Sequence, residues 1–414
     1  MQYRKRAIEE KLLQYSEAFA CLLLAGARQV GKSTLLQHLF GKTHKIFVFD
    51  PVQDLYGARA DPDLFLRNNP PPLVLDEIQY VPELVPAIKR YVDRDRHPGM
   101  YVFTGSQQWQ VMRRLSESLA GRVGMLELQG YSHQERLGRK GKTWLNTWLD
   151  SAGEGADAAI EALGAYSSAE ISATQWIWRG CFPEVQELEE AVVPGWMQGY
   201  VNTYLQRDVR QVIDVRDETQ FAAFLGLCAA LTAQEINRSQ LGRELGLSSP
   251  TAKQWLGALR STYQWLEVPP LSGNVLKRVS GRPKGYLTDT GLACYLMRLS
   301  SPEAVQGHPS FGALFETGVV LECCRQLQVR SLVPALYHYR QHSGAEVDLL
   351  VEVDGRFFPV EIKASSQVRP ADARSLATLR RNLSAPVETG LIIHAGSEVL
   401  KLDEQTVAVP FDMV

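Results

Sequence analysis

A chain of 414 residues, 45% hydrophobic and 22% charged, has the make-up of an ordinary globular protein and room for about two to four domains. Its formal net charge of -2 excludes a global basic field, so any hold on nucleic acid has to be local. Apolar runs stop at strand length and no apolar signal core follows the basic start Met1–Arg6, which excludes a membrane span and predicts a cytoplasmic protein.

In chain order, residues 4–17 read as an amphipathic helix and Phe19–Ala25 as a buried strand. Next comes Gly26-Ala27-Arg28-Gln29-Val30-Gly31-Lys32-Ser33-Thr34, which fits G-x-x-x-x-G-K-[ST] and runs into a helical pattern over Leu35–Phe40. Strand, loop and helix in that order are the context that gives the motif its meaning. The glycines let the backbone turn and aim N–H groups at phosphates, to which the helix N-terminus adds partial positive charge. Lys32 is expected to reach the β- and γ-phosphates of ATP, and the Ser33 hydroxyl to bind Mg²⁺.

A second strand, Lys45–Asp50, follows. After Pro70-Pro71-Pro72 the run Leu73-Val74-Leu75-Asp76-Glu77 reads as a strand ending in two carboxylates. Asp76 is expected to hold Mg²⁺ opposite Ser33, and Glu77 to polarise the attacking water. Met100–Phe103 is the next buried strand, and Thr104 and Ser106 after it are candidates to orient that water. In Ser118-Leu119-Ala120-Gly121-Arg122, the arginine is a candidate to act on the γ-phosphate, in cis or from a neighbouring copy.

From 138 to 170 the chain is rich in Gly, Ala and Ser, and 151–168 reads as a mobile connection or a loosely packed helix. From 170 to 235 the period is helical, and Trp176, Trp178, Trp196, Tyr200 and Tyr204 sit at core spacing. Residues 239–266 read as a helix-turn-helix with its turn at Gly246 and Ser248 or Ser249 capping the second helix. Thr251, Lys253, Gln254 and Arg260 are placed to face a DNA groove. Their basic surface is thin and Glu244 opposes it, so a winged-helix packing module stands beside the DNA-reading alternative.

Toward the end, Glu346–Val351 and Phe357–Lys363 read as the two strands of a hairpin turned at Asp354-Gly355. Asp348 and Glu361 then sit on neighbouring strands, and Lys363 shares the face of Glu361. Two carboxylates and a lysine so placed suit a metal-dependent attack on a phosphodiester, the D…E-x-K pattern of PD-(D/E)XK nucleases, with Glu316 as a further acid at the edge. Cys21, Cys181, Cys228, Cys294, Cys323 and Cys324 form no C-x-x-C pair and read as reduced core thiols. His338, His342 and His394 show no ligand spacing.

The P-loop, Leu75–Gln79, Phe103–Ser106 and Ser118–Arg122 together resemble a prokaryotic family of AAA-like ATPases. Arg179–Glu184, Tyr204–Asp208, Tyr286–Leu292 and Gly312–Glu316 continue the resemblance over nearly the whole chain. It implies a C-terminal domain of unknown function that looks like a PD-(D/E)XK nuclease. The expected fold is α/β: a parallel-sheet, AAA-like P-loop NTPase domain at 1–137, a helical region at 138–215, a winged-helix-like region at 216–275 and a restriction-endonuclease-like α/β domain at 276–414. The expected activity is ATP hydrolysis with Mg²⁺, coupled to a nuclease-like domain acting on nucleic acid. Two alternatives stay open: an ATP-gated, metal-dependent nuclease, and a nucleotide-gated protein-interaction switch with an inactive nuclease fold. DNA, a protein partner and further copies of the chain are the partners these readings allow.

Overall fold

The computed structural model describes residues 3–106, 119–139, 141–151, 154–164, 166, 171–210, 218–271, 281–341 and 344–413. They pack as two units. The first gathers Met1–Gly130, Thr203–Asp214 and Gly257–Gln264, and the second gathers Tyr131–Asn202, Val215–Leu256 and Trp265–Val414. This division cuts across the four segments read from the sequence, because two short stretches far along the chain return to the first unit.

The first unit is built on β1 (Cys21–Ala25), β2 (Lys45–Val48), β3 (Leu73–Asp76), β4 (Tyr101–Gly105) and β5 (Val123–Glu127). All pairings are parallel, in the order β2-β3-β4-β1-β5. The three inner strands are buried along their whole length, which is why they read as unbroken apolar runs, whereas the edge strands are partly exposed. Leu23, Leu75, Phe103, Phe47 and Ile88 belong to the core they share with the covering helices. Because the strands run one way, their carboxyl ends share one rim. The loop after β1 and the acids ending β3 meet there, with the end of β4 between them.

The opening helix is shorter than its periodicity predicts, spanning Glu9–Ala18. The Glu9 carboxylate accepts the backbone N–H of Arg6 at 2.6 Å, which fixes the helix start. The Arg6 side chain, buried to 4% exposure, is taken up by backbone carbonyls at the rim described below.

In the second unit, β6 (Gln234–Glu235), β7 (Trp265–Val268) and β8 (Lys284–Leu287) form an antiparallel sheet in the order β6-β8-β7. Helices Glu218–Ala230 and Arg238–Glu244 and the first two turns of Ser249–Ser261, whose end from Gly257 on belongs to the first unit, accompany it. Asn237 caps the middle helix through the N–H groups of Ser239 and Gln240, and Ser248 Oγ accepts the Thr251 N–H at 3.2 Å. Gly246, at φ 65°, makes the turn between these helices in the left-handed region a side chain would disfavour. Ala252, Trp255, Leu256 and Leu259 are buried, Leu245 and Leu247 half-buried, and Lys253 and Gln254 exposed.

The stretch 151–168 is not a loose connection where it is described: Ala156–Leu163 is a helix with Ala156, Ala159 and Leu163 buried. Small side chains let it pack closely against the last strands of the chain. Trp176, Trp178, Tyr200 and Tyr204 are buried and Trp196 half-buried, in line with their core spacing. The Asp289 carboxylate caps the helix Thr290–Leu296 and also accepts the Cys181 N–H at 2.7 Å, joining two of the stretches quoted for the family resemblance.

The C-terminal sheet comprises β9 (Ala335–Arg340), β10 (Glu346–Val353), β11 (Arg356–Lys363), β12 (Gly390–His394), β13 (Leu400–Asp403) and β14 (Thr406–Pro410). Its order is β13-β14-β12-β11-β10-β9, with β9, β10 and β11 antiparallel and β11-β12-β14 parallel. Helix Phe311–Leu327 packs on β11. No helix among the described residues is long and apolar enough to cross a membrane.

Candidate functional site

At the rim of the parallel sheet the chain leaves β1 at Ala25 and turns through Gly26, at φ 149°. Gln29 at φ 65° and Gly31 at φ 94° are both left-handed, with Val30 between them on the ordinary side. That alternation is the geometry of an anion-binding nest, and the helix Lys32–Phe40 starts directly behind it. Lys32 is 6% exposed and its Nζ donates to Gly26 O at 2.9 Å and Ala27 O at 2.8 Å. Burial lowers its pKa, against the pull of Glu77 and Asp76. The Arg6 guanidinium braces the loop from behind, donating to Val30 O at 2.9 Å, Gln129 O at 2.7 Å and Gly130 O at 3.1 Å.

Asp76 ends β3 at 4% exposure. The Thr104 hydroxyl donates to its Oδ1 and accepts the Glu77 N–H at 2.9 Å, so one side chain fixes both acids. Glu77 leaves the strand left-handed, at φ 60°, an uncommon setting for a non-glycine residue. Its carboxylate accepts from the Gln79 amide, which also donates to Ser106 Oγ at 3.2 Å. Ser106 Oγ donates in turn to Asp208 Oδ1 at 3.3 Å. Asp208 closes the circuit onto the P-loop, accepting from Arg28 Nε at 2.7 Å and Nη2 at 2.9 Å. Ser33, Thr34, Gln37, Val48, Val74 and Asp76 line one cavity of about 350 Å³.

The structure thus brings Gly26–Thr34, Asp76, Glu77, Thr104 and Ser106 together. Arg122 is not with them. Its backbone carbonyl accepts the N–H of Cys21, the first residue of β1, so it stands at the opposite end of that strand, roughly 13 Å of rise from the P-loop. There its guanidinium pairs with Asp93. The in-cis role read from the sequence is therefore corrected, and Ser118 lies outside the described residues. Sequence reasoning missed Arg6, Gln79 and Asp208, each of which is tied to the site by side-chain hydrogen bonds.

The Arg28–Asp208 pair yields a direct prediction. The two side chains are 16% and 3% exposed, so removing either leaves the other's charge stranded. Arg28→Ala and Asp208→Ala should each lower unfolding free energy by about 3 kcal/mol. The double variant should fall short of their sum by about 0.5–3 kcal/mol in a urea double-mutant cycle. Additive losses would mean that the pair is not coupled.

In the second unit, β10 and β11 pair from Leu349 and Val360 onward, with Asp348 and Glu361 the residues just beyond that pair on neighbouring strands. Lys363 Nζ donates to Glu361 Oε1 at 2.6 Å, and Asp348 Oδ2 accepts the Ile362 N–H at 2.9 Å. A residue not singled out from the sequence stands among these acids. Lys284 Nζ, delivered by β8, lies 3.0 Å from Glu316 Oε1, 2.8 Å from Glu346 Oε1 and 3.0 Å from Asp348 Oδ1. Tyr286 OH, on the same strand, donates to Glu316 at 2.8 Å. Burial, with Asp348 adding to it, pushes Glu316 up to about 7 and Glu361 up to about 8. Burial works against the Lys284 charge too, but Asp348, Glu316 and Glu346 outweigh it and raise its pKa. Among the described residues no three His, Cys, Asp or Glu side chains are grouped to hold a metal ion. His338 and His394 meet the backbone carbonyls of Arg282 and Glu398, and His342 lies outside the described residues.

Residues 18–137 match an AAA domain, residues 171–303 a domain of unknown function (DUF8612) and residues 311–414 another domain of unknown function (DUF4143). The chain is 31% identical over 395 residues to the uncharacterized protein Rv2008c of Mycobacterium tuberculosis. It matches the uncharacterized protein Mb2031c of Mycobacterium bovis to the same extent, and each alignment covers 95% of this chain and 80% of the relative. Among solved structures, a Walker-type ATPase of Pyrococcus abyssi aligns at 16% identity and a TM-score of 0.38, over 70% of this chain and 94% of its own. The chain belongs to the family of these two mycobacterial proteins, and it carries an AAA-like P-loop ATPase domain ahead of two domains of unknown function.

Proposed function

We propose that the first unit hydrolyses ATP at Gly26–Thr34 and that the second is a nucleic-acid-directed module carrying a nuclease-like fold. The observation that supports the first part is the meeting of a backbone nest, Lys32, Asp76 and Glu77 at one rim. Ser33 and Asp76 share a cavity, and a hydroxyl with a carboxylate suits a hard cation, so these two would hold Mg²⁺ beside the phosphates. The ion, when bound, neutralises charge on the β- and γ-phosphate oxygens. Lys32 would exchange two loop carbonyls for phosphate oxygens. Glu77 would take a proton from the attacking water, while Thr104 keeps both acids in place and Gln79 and Ser106 link Glu77 to Asp208. Arg122 would reach a γ-phosphate only from a neighbouring copy.

For the second unit, three helices and an antiparallel sheet whose central strand, β8, lies past residue 275 support a winged-helix reading of 216–275 extended to Leu287. A mixed sheet with Asp348 and Glu361 on neighbouring strands and Lys363 two residues on supports a restriction-endonuclease-like reading of the C-terminal part. ATP turnover by the full-length protein, with and without single- and double-stranded DNA, tests the whole. Stimulation by DNA that disappears in Lys32→Ala is the expected result. Turnover indifferent to DNA would overturn the nucleic-acid part and favour a switch acting on protein partners, a reading already favoured by the lysine among the C-terminal carboxylates.

A further inference from the structure

We infer that the carboxylate cluster of the second unit carries its own cation, the Lys284 ammonium, in the place where a divalent metal would bind, and that the cluster takes up a metal only when that charge is removed. The inference rests on reading Asp348 and Glu361 as the nuclease-like pair and is independent of the ATPase.

An ammonium has three N–H donors, and Lys284 has three carboxylate partners at 2.8–3.0 Å: Glu316, Glu346 and Asp348. The ammonium is 5% exposed and Asp348 and Glu316 are 12% and 15% exposed, so these pairs are desolvated, unlike a surface ion pair, while Glu346 at 35% marks the side that faces solvent. Asp348 is the acid any metal would share with Glu361, and both of its oxygens are engaged. Oδ1 faces Lys284 and Oδ2 accepts the Ile362 N–H. On Glu361, Oε1 is held by Lys363. Of the four carboxylate oxygens of Asp348 and Glu361, Glu361 Oε2, on a side chain 7% exposed, is the one left without a hydrogen-bond partner. One carboxylate oxygen does not make a site for Mg²⁺ or Mn²⁺, which need several oxygens converging at close to 2 Å. Moving Lys284 away would free Asp348 Oδ1 and Glu346 Oε1 and leave Glu316 Oε1 with the Tyr286 hydroxyl alone, beside an already unpartnered Glu361 oxygen. The lysine comes from β8, in a different sheet from the acids on β10 and β11, so the pattern D…E-x-K carries no trace of it.

The test is Mn²⁺ binding by the full-length protein, read by electron paramagnetic resonance, with Lys32→Ala as the background to silence the nucleotide site. In that background the cluster should take up no Mn²⁺ beyond what remains after Asp348→Asn. Lys284→Met, which keeps the length of the stem and removes the charge, should add one Mn²⁺ at least tenfold tighter than the residual binding that remains after Asp348→Asn, and Asp348→Asn should abolish it. Lys284→Arg should behave as wild type. Mn²⁺ uptake by the wild-type cluster that Asp348→Asn removes would overturn the inference, and so would a Lys284→Met chain, folded by circular dichroism, that takes up no Mn²⁺; should that variant not fold, Lys284→Gln is read in its place. The nuclease-like reading fails separately. DNA cleavage by wild type in Mg²⁺, lost in Glu361→Gln, would uphold that reading and sink this one. Metal uptake by Lys284→Met without cleavage would uphold this one alone.

Discussion

Glu77→Gln should leave ATP bound and nearly stop its hydrolysis, with turnover falling about 10²- to 10⁴-fold, the usual contribution of a positioned general base. The amide has the shape of the carboxylate but cannot take up the proton of an attacking water. The surroundings survive the exchange. Thr104 meets the backbone N–H at this position, not the side chain, and the Gln79 amide still finds an oxygen to donate to. Asp76 and Lys32 are untouched, so nucleotide affinity should not change. Steady-state turnover and equilibrium ATP binding, measured side by side, separate the two quantities. Turnover within a few-fold of wild type would remove Glu77 from the role of base. Lost binding with unchanged turnover per bound ATP would make it a binding residue instead.

Gly26→Ala should weaken ATP binding by about two orders of magnitude, matching the upper end of the 1–3 kcal/mol that an overpacked site costs. A Cβ at this position would lie 2.1 Å from Leu128 O, far inside van der Waals contact. The obstacle is backbone and cannot swing aside. Leu128 N–H is bonded to Ala25 O at 2.8 Å, and the next two carbonyls, Gln129 O and Gly130 O, are clasped by Arg6, which also holds Val30 O inside the loop. Relief therefore requires the loop to move as a whole, which disperses the N–H groups of the nest. A binding titration and a thermal melt check this. Wild-type affinity in the variant would mean that the loop conformation described here is not the one that holds nucleotide.

Much of the first unit was legible because its signals are local. A glycine-lysine loop between an apolar strand and a helix, and two acids closing another apolar strand, are each contained within ten residues, and both sit at the same rim. The two helices joined at Gly246 were legible for the same reason, with Ser248 and Gly246 supplying cap and turn. What escaped was long-range. Arg28 meets Asp208 across 180 positions, and nothing in Tyr204–Asp208 announces that its acid belongs to the P-loop. Lys284 meets Asp348 across 64 positions and from another sheet. Arg122 shows the converse failure. Its neighbours place it close to a strand, but residue type alone does not say which end of the strand it occupies, and here that end decides its role. The opening helix starts later than its periodicity predicts because the Arg6 side chain is committed to the loop.

The composition of the first unit bears on how the protein is made. Its sheet is complete by Glu127, yet Asp208 and the buried hydrogen bond between Tyr204 and Thr262, 2.8 Å long, belong to the same unit. A ribosome that has released the P-loop and both acids has still not supplied the carboxylate for Arg28, and has more than a hundred residues to go before Thr262 emerges. The nucleotide site is therefore finished late in synthesis, after the helices on either side of residue 203 exist to bring Asp208 home. A nascent or clipped chain ending near residue 137 holds every ATPase motif and an unsatisfied arginine in place of a working site.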